Sequence, residues 1–189
     1  MTELAPTTRT LGADIRALRK ARRLTLAEMA EKLGRSVGWM SQVERDKSEP
    51  SISDLRDMAQ SLGVPLSMLF AHDAAPVEEQ GLVVRASARR PMGSGDAGLI
   101  EELLSPDLTD DFEMVHSTFL AGSAMTKPVC RPTQEVGYVI SGQLDITIGG
   151  RSFAVGAGDS FRIRNEPYTW SNPYQSAAVL IWVIAPPVY

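Results

Sequence analysis

The hydrophobic period changes once along this chain, from about 3.6 residues to 2, and that change limits it to a helical domain followed by a β domain. Up to Phe70 the apolar residues recur at helical offsets: Leu11, Ile15 and Leu18, then Leu26, Met29, Ala30 and Leu33, then Ile52, Leu55, Ala59 and Leu62. Thr25 with Glu28, and Ser51 with Asp54, have the spacing of capping boxes, and Pro65 suits the first turn of a last short helix. Five short helices are predicted. The stretch HDAAPVEEQ between Ala71 and Gly81 has no apolar period and reads as a linker. Beyond it, DITI at 145–148 and FAV at 153–155 flank Gly149-Gly150, the signal of a tight hairpin, and Gly142, Gly156 and Gly158 mark further turns. Segments 82–86, 112–120, 135–140, 159–163 and 177–184 also read as strands, and many short strands split by Gly and Pro imply a sandwich or barrel. The expected organisation is an α+β chain of two domains, 1–71 and 82–189, joined by a linker at 72–81.

Charge divides the chain at the same place. The 189 residues carry a net charge of −4, but residues 1–71 hold 11 Lys+Arg against 9 Asp+Glu, a net of +2, and residues 72–189 hold 8 against 14, a net of −6. The single cysteine, Cys130, excludes an internal disulfide framework and a cysteine-based zinc site. The N-terminus has no basic-then-apolar leader, and the longest apolar run, Ala177 to Pro187, is far short of the roughly 20 residues of a membrane-spanning helix. The expectation is a protein of a reducing cytoplasm with no membrane association.

Helix two ends at Leu33, and Gly34-Arg35 leads at once to Ser36, an N-cap for a third helix running to about Glu44. So short a connection between amphipathic helices is the spacing of a helix-turn-helix, whose second helix enters the major groove. With Met40 and Val43 turned to the core, Val37, Gly38, Ser41, Gln42 and Arg45 face outward. Gln42 could contact adenine bidentately and Val37 a thymine methyl, while Ser36, Ser41, Arg45 and Lys47 could reach phosphates. Arg35 and Trp39 complete the set of DNA-contact candidates. Trp39 has two readings, packing or lying against the backbone, and the basic cluster Arg16, Arg19, Lys20, Arg22 and Arg23 is either a solvated face or a source of phosphate contacts.

Residues 11–70, with the run Ser-Gln-Val-Glu-Arg followed by Pro-Ser, resemble the phage-repressor (XRE) type of helix-turn-helix transcriptional regulator. The resemblance implies that Arg19 pairs with Glu44 as scaffolding. It departs from the pattern twice: Leu26 stands where many members have a phosphate-contacting glutamine, and Asp46 where a turn glycine is usual, which asks Asp46 for a left-handed conformation.

The segment Val129 to Asn172 resembles the cupin (double-stranded β-helix) barrel through EVGYVISGQLDITIGG, VGAGDSF and PYTWSN, and the domain order resembles regulators that fuse a repressor-type module to a cupin sensor. Metal-binding cupins carry two histidines one residue apart, then a glutamate, then a further histidine. In register on Glu135, those histidine positions hold Val129, Arg131 and Tyr168, so one ligand of four survives, which cannot hold a first-row metal against water. The chain has two histidines. His72 falls in the linker, and His116, in a predicted strand, reads as a satisfied structural histidine or, less simply, a ligand contact. No cofactor and no catalytic residue is expected.

Strand alternation places Val129, Arg131 and Glu135 on one face and Tyr168 and Trp170 on the inner face of theirs, making these five the candidate ligand-binding residues. Two readings stay open. Arg131 and Glu135 form an internal ion pair filling the former metal space, or Arg131 receives a carboxylate while Glu135 and the rings receive an amine or quaternary ammonium. Tyr138, of opposite parity to Glu135, reads as packing or interface. Cys130 is out of phase with Arg131. Phe161 and Ile163 are expected inside in place of Arg162 and Arg164. The acidic residues Glu101, Glu102, Asp107, Asp110, Asp111 and Glu113 read as a solvated face. The expected function is a homodimeric regulator that binds a palindromic double-stranded operator and senses a small carboxylate-bearing or zwitterionic effector. The alternatives are a cupin isomerase or oxygenase fused to a DNA-binding domain, and a cupin that serves only for dimerisation.

Overall fold

Capping places the helices. In the computed structural model, which describes residues 10–64, 66–70, 77–79, 81–92, 98–106, 108 and 110–188, four helices are followed by a fifth of a single turn. They are α1 Leu11–Ala21, α2 Leu26–Lys32, α3 Val37–Val43, α4 Ile52–Leu62 and α5 Ser67–Phe70. Both predicted capping boxes form: the Glu28 backbone N–H donates to Thr25 Oγ1 (3.2 Å) while Glu28 Oε2 accepts from the Thr25 N–H (2.7 Å). Ser51 and Asp54 exchange the same two bonds at 3.2 and 3.0 Å. Ile15, Leu18, Met29, Met40, Val43, Met58 and Leu62 are buried. Ile52, expected on the buried stripe of α4, is instead 65% exposed. It is the first helical residue, one turn ahead of the face that Leu55, Met58, Ala59 and Leu62 bury. Pro65, His72 and most of the expected linker lie outside the described residues.

Two charged contacts hold this bundle. Arg19 donates bidentately to Glu44, Nε to Oε1 at 2.6 Å and Nη2 to Oε2 at 2.9 Å, and its Nη1 reaches the Leu24 carbonyl at 2.7 Å, both side chains being buried. Asp46, at φ +54°, takes up the left-handed conformation expected of it and accepts the Gly12 N–H at 2.9 Å and the Thr10 hydroxyl. Gly12 is required there, because a Cβ on it would lie 2.3 Å from the Val43 carbonyl oxygen.

The chain divides into two compact units, and the first continues beyond the helices. It runs to Arg90, whose Nη2 donates to Asp14 of α1 at 2.5 Å with both side chains buried, and it takes in Ser105, Pro106 and Leu108. The second comprises the described residues of 91–104 and 110–188.

The second unit is built on β1 Arg90–Met92, β2 Leu99–Leu103, β3 Glu113–Phe119, β4 Gln134–Ser141, β5 Gln143–Ile148, β6 Arg151–Gly156, β7 Ser160–Arg164, β8 Tyr168–Ser171 and β9 Ala178–Ala185. Their ladders form a six-stranded sheet, β1-β2-β3-β9-β4-β7, and a three-stranded sheet, β6-β5-β8. The hairpin at Gly149-Gly150 forms as expected, with both glycines at positive φ (+55° and +80°) and Ile148 facing Arg151. One core draws on both sheets: Val115 and Phe119, Leu144 and Ile146, Ile163, Trp170, Leu180 and Trp182. Ile163 is buried and Phe161 half-buried, while Arg162 and Arg164 point to solvent, as alternation requires. The strand predicted at 82–86 does not form. The N–H groups of Leu82 and Val83 turn back to the Glu79 carbonyl (3.0 and 2.9 Å), a 3₁₀ turn follows at Ala86–Ala88, and Leu82 is 75% exposed. Strands β1 and β2 were not anticipated.

Replacing Arg19 with Met strands the buried Glu44 charge and is expected to cost the helical unit about 3–5 kcal/mol. In chemical denaturation the double variant R19M/E44M should recover most of that loss, since no charge is then left unpaired.

Candidate functional site

The outer surface of α3 is set by the two residues it buries. Met40 and Val43 are within 1% of fully buried, so Val37, Gly38, Gln42 and Arg45 are exposed and Ser41 half-buried, as the helical period demands. Ser36 Oγ accepts the Trp39 N–H at 3.1 Å and caps the helix. At about 1.5 Å per residue, α3 is some 10 Å long, a length that fits within the major groove.

Several neighbouring cations are committed to scaffolding. Arg35 places Nε and Nη2 on Asp54 Oδ1 (3.0 and 2.7 Å) and its guanidinium 5.0 Å from the centre of the half-buried Trp39 ring, tying the turn before α3 to the cap of α4. The bonds from Ser51, and then from Arg35, hold the Asp54 carboxyl below its ordinary range. Arg22 caps α4 through the Leu62 carbonyl at 2.6 Å. Arg45 donates to the Ser41 carbonyl at 3.0 Å and stays exposed, as do Lys47, Arg16, Lys20 and Arg23.

In the β unit β4 begins only at Gln134, so Val129 forms an isolated bridge and residues 130–133 a loop, and the strand alternation expected to run from Val129 through Arg131 to Glu135 is not continuous. Glu135 is 1% exposed and accepts the Thr133 hydroxyl on Oε1 at 2.7 Å. Its buried Oε2 has no hydrogen-bond partner among the described residues. Val129 and Tyr168 are locked opposite each other by paired backbone bonds of 2.9 and 2.8 Å. Burial, assisted by the Glu135 and Glu101 charges and only partly offset by Arg131, raises the Tyr168 phenol well above its ordinary value, so it remains a donor. Trp170 is 4% exposed and meets Phe119 edge-on at 4.7 Å, as part of the core.

Arg131 is half-buried, and among the described residues it forms no ion pair within 4.0 Å. The direct Arg131–Glu135 bridge held open by the sequence is therefore not made, because Glu135 is turned to Thr133. The positive charge of Arg131 opposes the rise that burial gives the Glu101 carboxyl and the Tyr168 phenol.

Glu101 corrects the sequence reading. Placed there on a solvated acidic face, it lies on β2 opposite Ser117, whose Oγ donates to its Oε1 at 3.3 Å. Burial raises its carboxyl above the ordinary range, against the pull of Arg131 and Ser117, and the Glu135 charge adds to the rise. Glu113, from the same presumed solvated face, is 1% exposed on β3. The usable signal was parity, since Leu99 and Leu103 share a face with Glu101 and both belong inside. Of the other acids, Asp111 is exposed, Asp110 and Glu102 are half-buried, and Asp107 lies outside the described residues. Glu102 Oε2 is 3.6 Å from His116 Nδ1 on the outward parity of β3, which removes that histidine from the interior. Tyr138 is exposed beside Val136 and Ile140, and Cys130 is exposed.

Cupins that hold a metal need imidazoles around the glutamate, and the groups around Glu135 are a guanidinium, a phenol and an alkyl chain, which do not fit one. Among the described residues no three His, Cys, Asp or Glu side chains gather in a way that could hold an ion.

Residues 10–69 match the family described as helix-turn-helix domain, and residues 115–184 the family described as cupin domain. The chain is 28% identical over 165 residues to the HTH-type transcriptional regulator PuuR of Escherichia coli, covering 85% of this chain and 86% of that protein. It is 38% identical over 71 residues to the immunity repressor protein of Bacillus phage phi105, covering 38% of this chain and 49% of that one. The solved structure of KdgF from Halomonas sp., 16% identical over 57% of this chain and 96% of its own, superposes with a TM-score of 0.50 and shares the fold of the β unit.

Because the folded Glu101 carboxyl titrates above its unfolded value, its ionisation removes stability as pH rises through that folded value. Glu101→Gln should therefore melt like the wild type at low pH, where Glu101 is protonated, and above it at neutral pH. Parallel melting curves across the range would contradict the inward-facing, half-buried placement.

Proposed function

Because the chain belongs to the phage-repressor-type (XRE) helix-turn-helix regulators that carry a C-terminal cupin domain, we propose that it is a metal-free, ligand-controlled member. In this reading the cupin domain senses a small carboxylate-bearing or zwitterionic metabolite, performs no catalysis and uses no cofactor. The observation that carries it is the buried Glu135 carboxylate, whose Oε2 has no hydrogen-bond partner among the described residues, together with a half-buried Arg131 that forms no ion pair among them. Empty, such a constellation is costly; an occupant bringing both charges would relieve it. Val129, Arg131, Glu135, Tyr168 and Trp170 line the proposed site.

The protein acts in the cytoplasm as a homodimer. The exposed row Val136, Tyr138 and Ile140 on β4, flanked by Val183 of β9, offers the apolar surface for pairing two cupin domains. Two copies of α3 would then read half-sites of a palindromic operator about 34 Å apart. Val37, Gly38 and Gln42 face the bases and Ser36, Ser41, Arg45 and Lys47 the backbone, while Arg35 and Trp39 hold the turn from which α3 starts.

Gln42→Ala should weaken binding to an operator selected from random DNA by about 1–3 kcal/mol and relax the choice of base at one position per half-site, as read by fluorescence anisotropy with singly substituted operators. Lys47→Ala should weaken all sequences alike and reduce the salt dependence. Linkage supplies the test of control: saturating operator must change effector affinity by the factor by which effector changes operator affinity. Equal effector affinities with and without DNA would refute the coupling.

A further inference from the structure

We propose that two copies of the chain meet through the outer face of the six-stranded sheet, about a two-fold axis running along β9, so that Arg162 of each copy pairs with Glu102 of the other. This rests on the homodimer reading above and specifies how the copies meet.

The strand register defines the face. One row of outward positions reads Glu102, His116, Ile181, Tyr138 and Ser160 across β2, β3, β9, β4 and β7, and the next sets Val183 and Val136 beside Arg162. Val136, Tyr138, Ile140, Val183 and Ile100 are 38–51% exposed, so the face is apolar to its centre. Its two sides carry opposite charges. Arg162 is exposed on β7 and forms no ion pair within 4.0 Å among the described residues. On the far side Glu102 of β2 shares its row with His116, 3.6 Å away. A surface with one sign at each side of an apolar middle is complementary to a copy of itself. Charge also selects the symmetry. Sheets stacked face to face keep their strands within about 30° of each other, so a two-fold axis in the interface runs nearly along the strands or nearly across them. An axis across the strands lays each strand on its own copy and sets Arg162 against Arg162. An axis along them reverses the strand order. Because β9 is central in the run β2-β3-β9-β4-β7, that axis carries β7 of one copy onto β2 of the other. Arg162 then starts one row from the partner's Glu102, a step of about 6.8 Å that an arginine side chain spans.

The test is sedimentation equilibrium of the full chain. The wild type should be dimeric at micromolar concentration, and Tyr138→Glu should raise the dissociation constant at least about a hundredfold. Arg162→Glu and Glu102→Arg should each raise it at least about tenfold, since every dimer holds the contact twice, and the double variant R162E/E102R should return it to within about threefold of the wild type. Circular dichroism separates loss of pairing from loss of fold. Should Glu102→Arg not fold, Glu102→Gln and Arg162→Gln supply the same cycle, the double variant being no weaker than either single one. In a Cys130→Ser background, Ile181→Cys should cross-link to its own copy through a short bismaleimide. Ser160→Cys, in the same row, should not, because a residue of β7 lies about 19 Å from its counterpart across an axis on β9. A monomeric wild type overturns both this assignment and the homodimer reading. A dimer that survives Tyr138→Glu, a charge swap without recovery, or cross-linking at Ser160→Cys but not at Ile181→Cys overturns the assignment and leaves the homodimer standing.

Discussion

The bidentate bond between Arg19 and Glu44 is the constraint on which the DNA-reading half depends. Glu44 caps the end of α3, and Arg19 belongs to the middle of α1, so the pair sets where the recognition helix stops relative to the bundle. Asp46 repeats the arrangement two residues later by holding the first turn of α1, and Gly12 allows the backbones to approach. A guanidinium buried against a carboxylate is worth little over a pair of apolar residues, but it tolerates few geometries. What it contributes is definition: a helix of seven residues, two of them buried, has few other contacts to fix where it ends.

The helical half was legible because its signals are local. Two capping boxes and the burial of Met40 and Val43 each follow from residues within a few positions of one another, whereas the left-handed Asp46 was implied by the family resemblance. Where local logic ran out, so did the reading. Ile52 looked like a member of the buried stripe, but a residue in the first turn of a helix has no preceding turn to pack beside. Leu82 to Ala86 looked like a strand by composition, and the Glu79 carbonyl captured its amides before any partner strand could.

In the β half, the cupin resemblance supplied Glu135 and Tyr168, and alternation then placed Ile163 inside and Tyr138 outside. It failed for Glu101 and Glu113, where a run rich in carboxylates suggested solvent more strongly than the flanking Leu99 and Leu103 suggested interior. Charge density is a property of a stretch, whereas facing is a property of single positions, and in a strand the second prevails. That Glu101 feels the charge of Arg131 could not be disclosed by any pattern in one segment, because the two come from distant parts of the chain.

The path of the backbone between the two units has one more implication. Arg90 ends the first pass through the helical unit, and Ser105, Pro106 and Leu108 return to it between β2 and β3 before the chain resumes the sheet. The polypeptide thus crosses from one unit to the other more than once, so no single cut yields both in full. A cut made at one point between the units would therefore leave the segment 105–108, which belongs with the helices, on the wrong fragment.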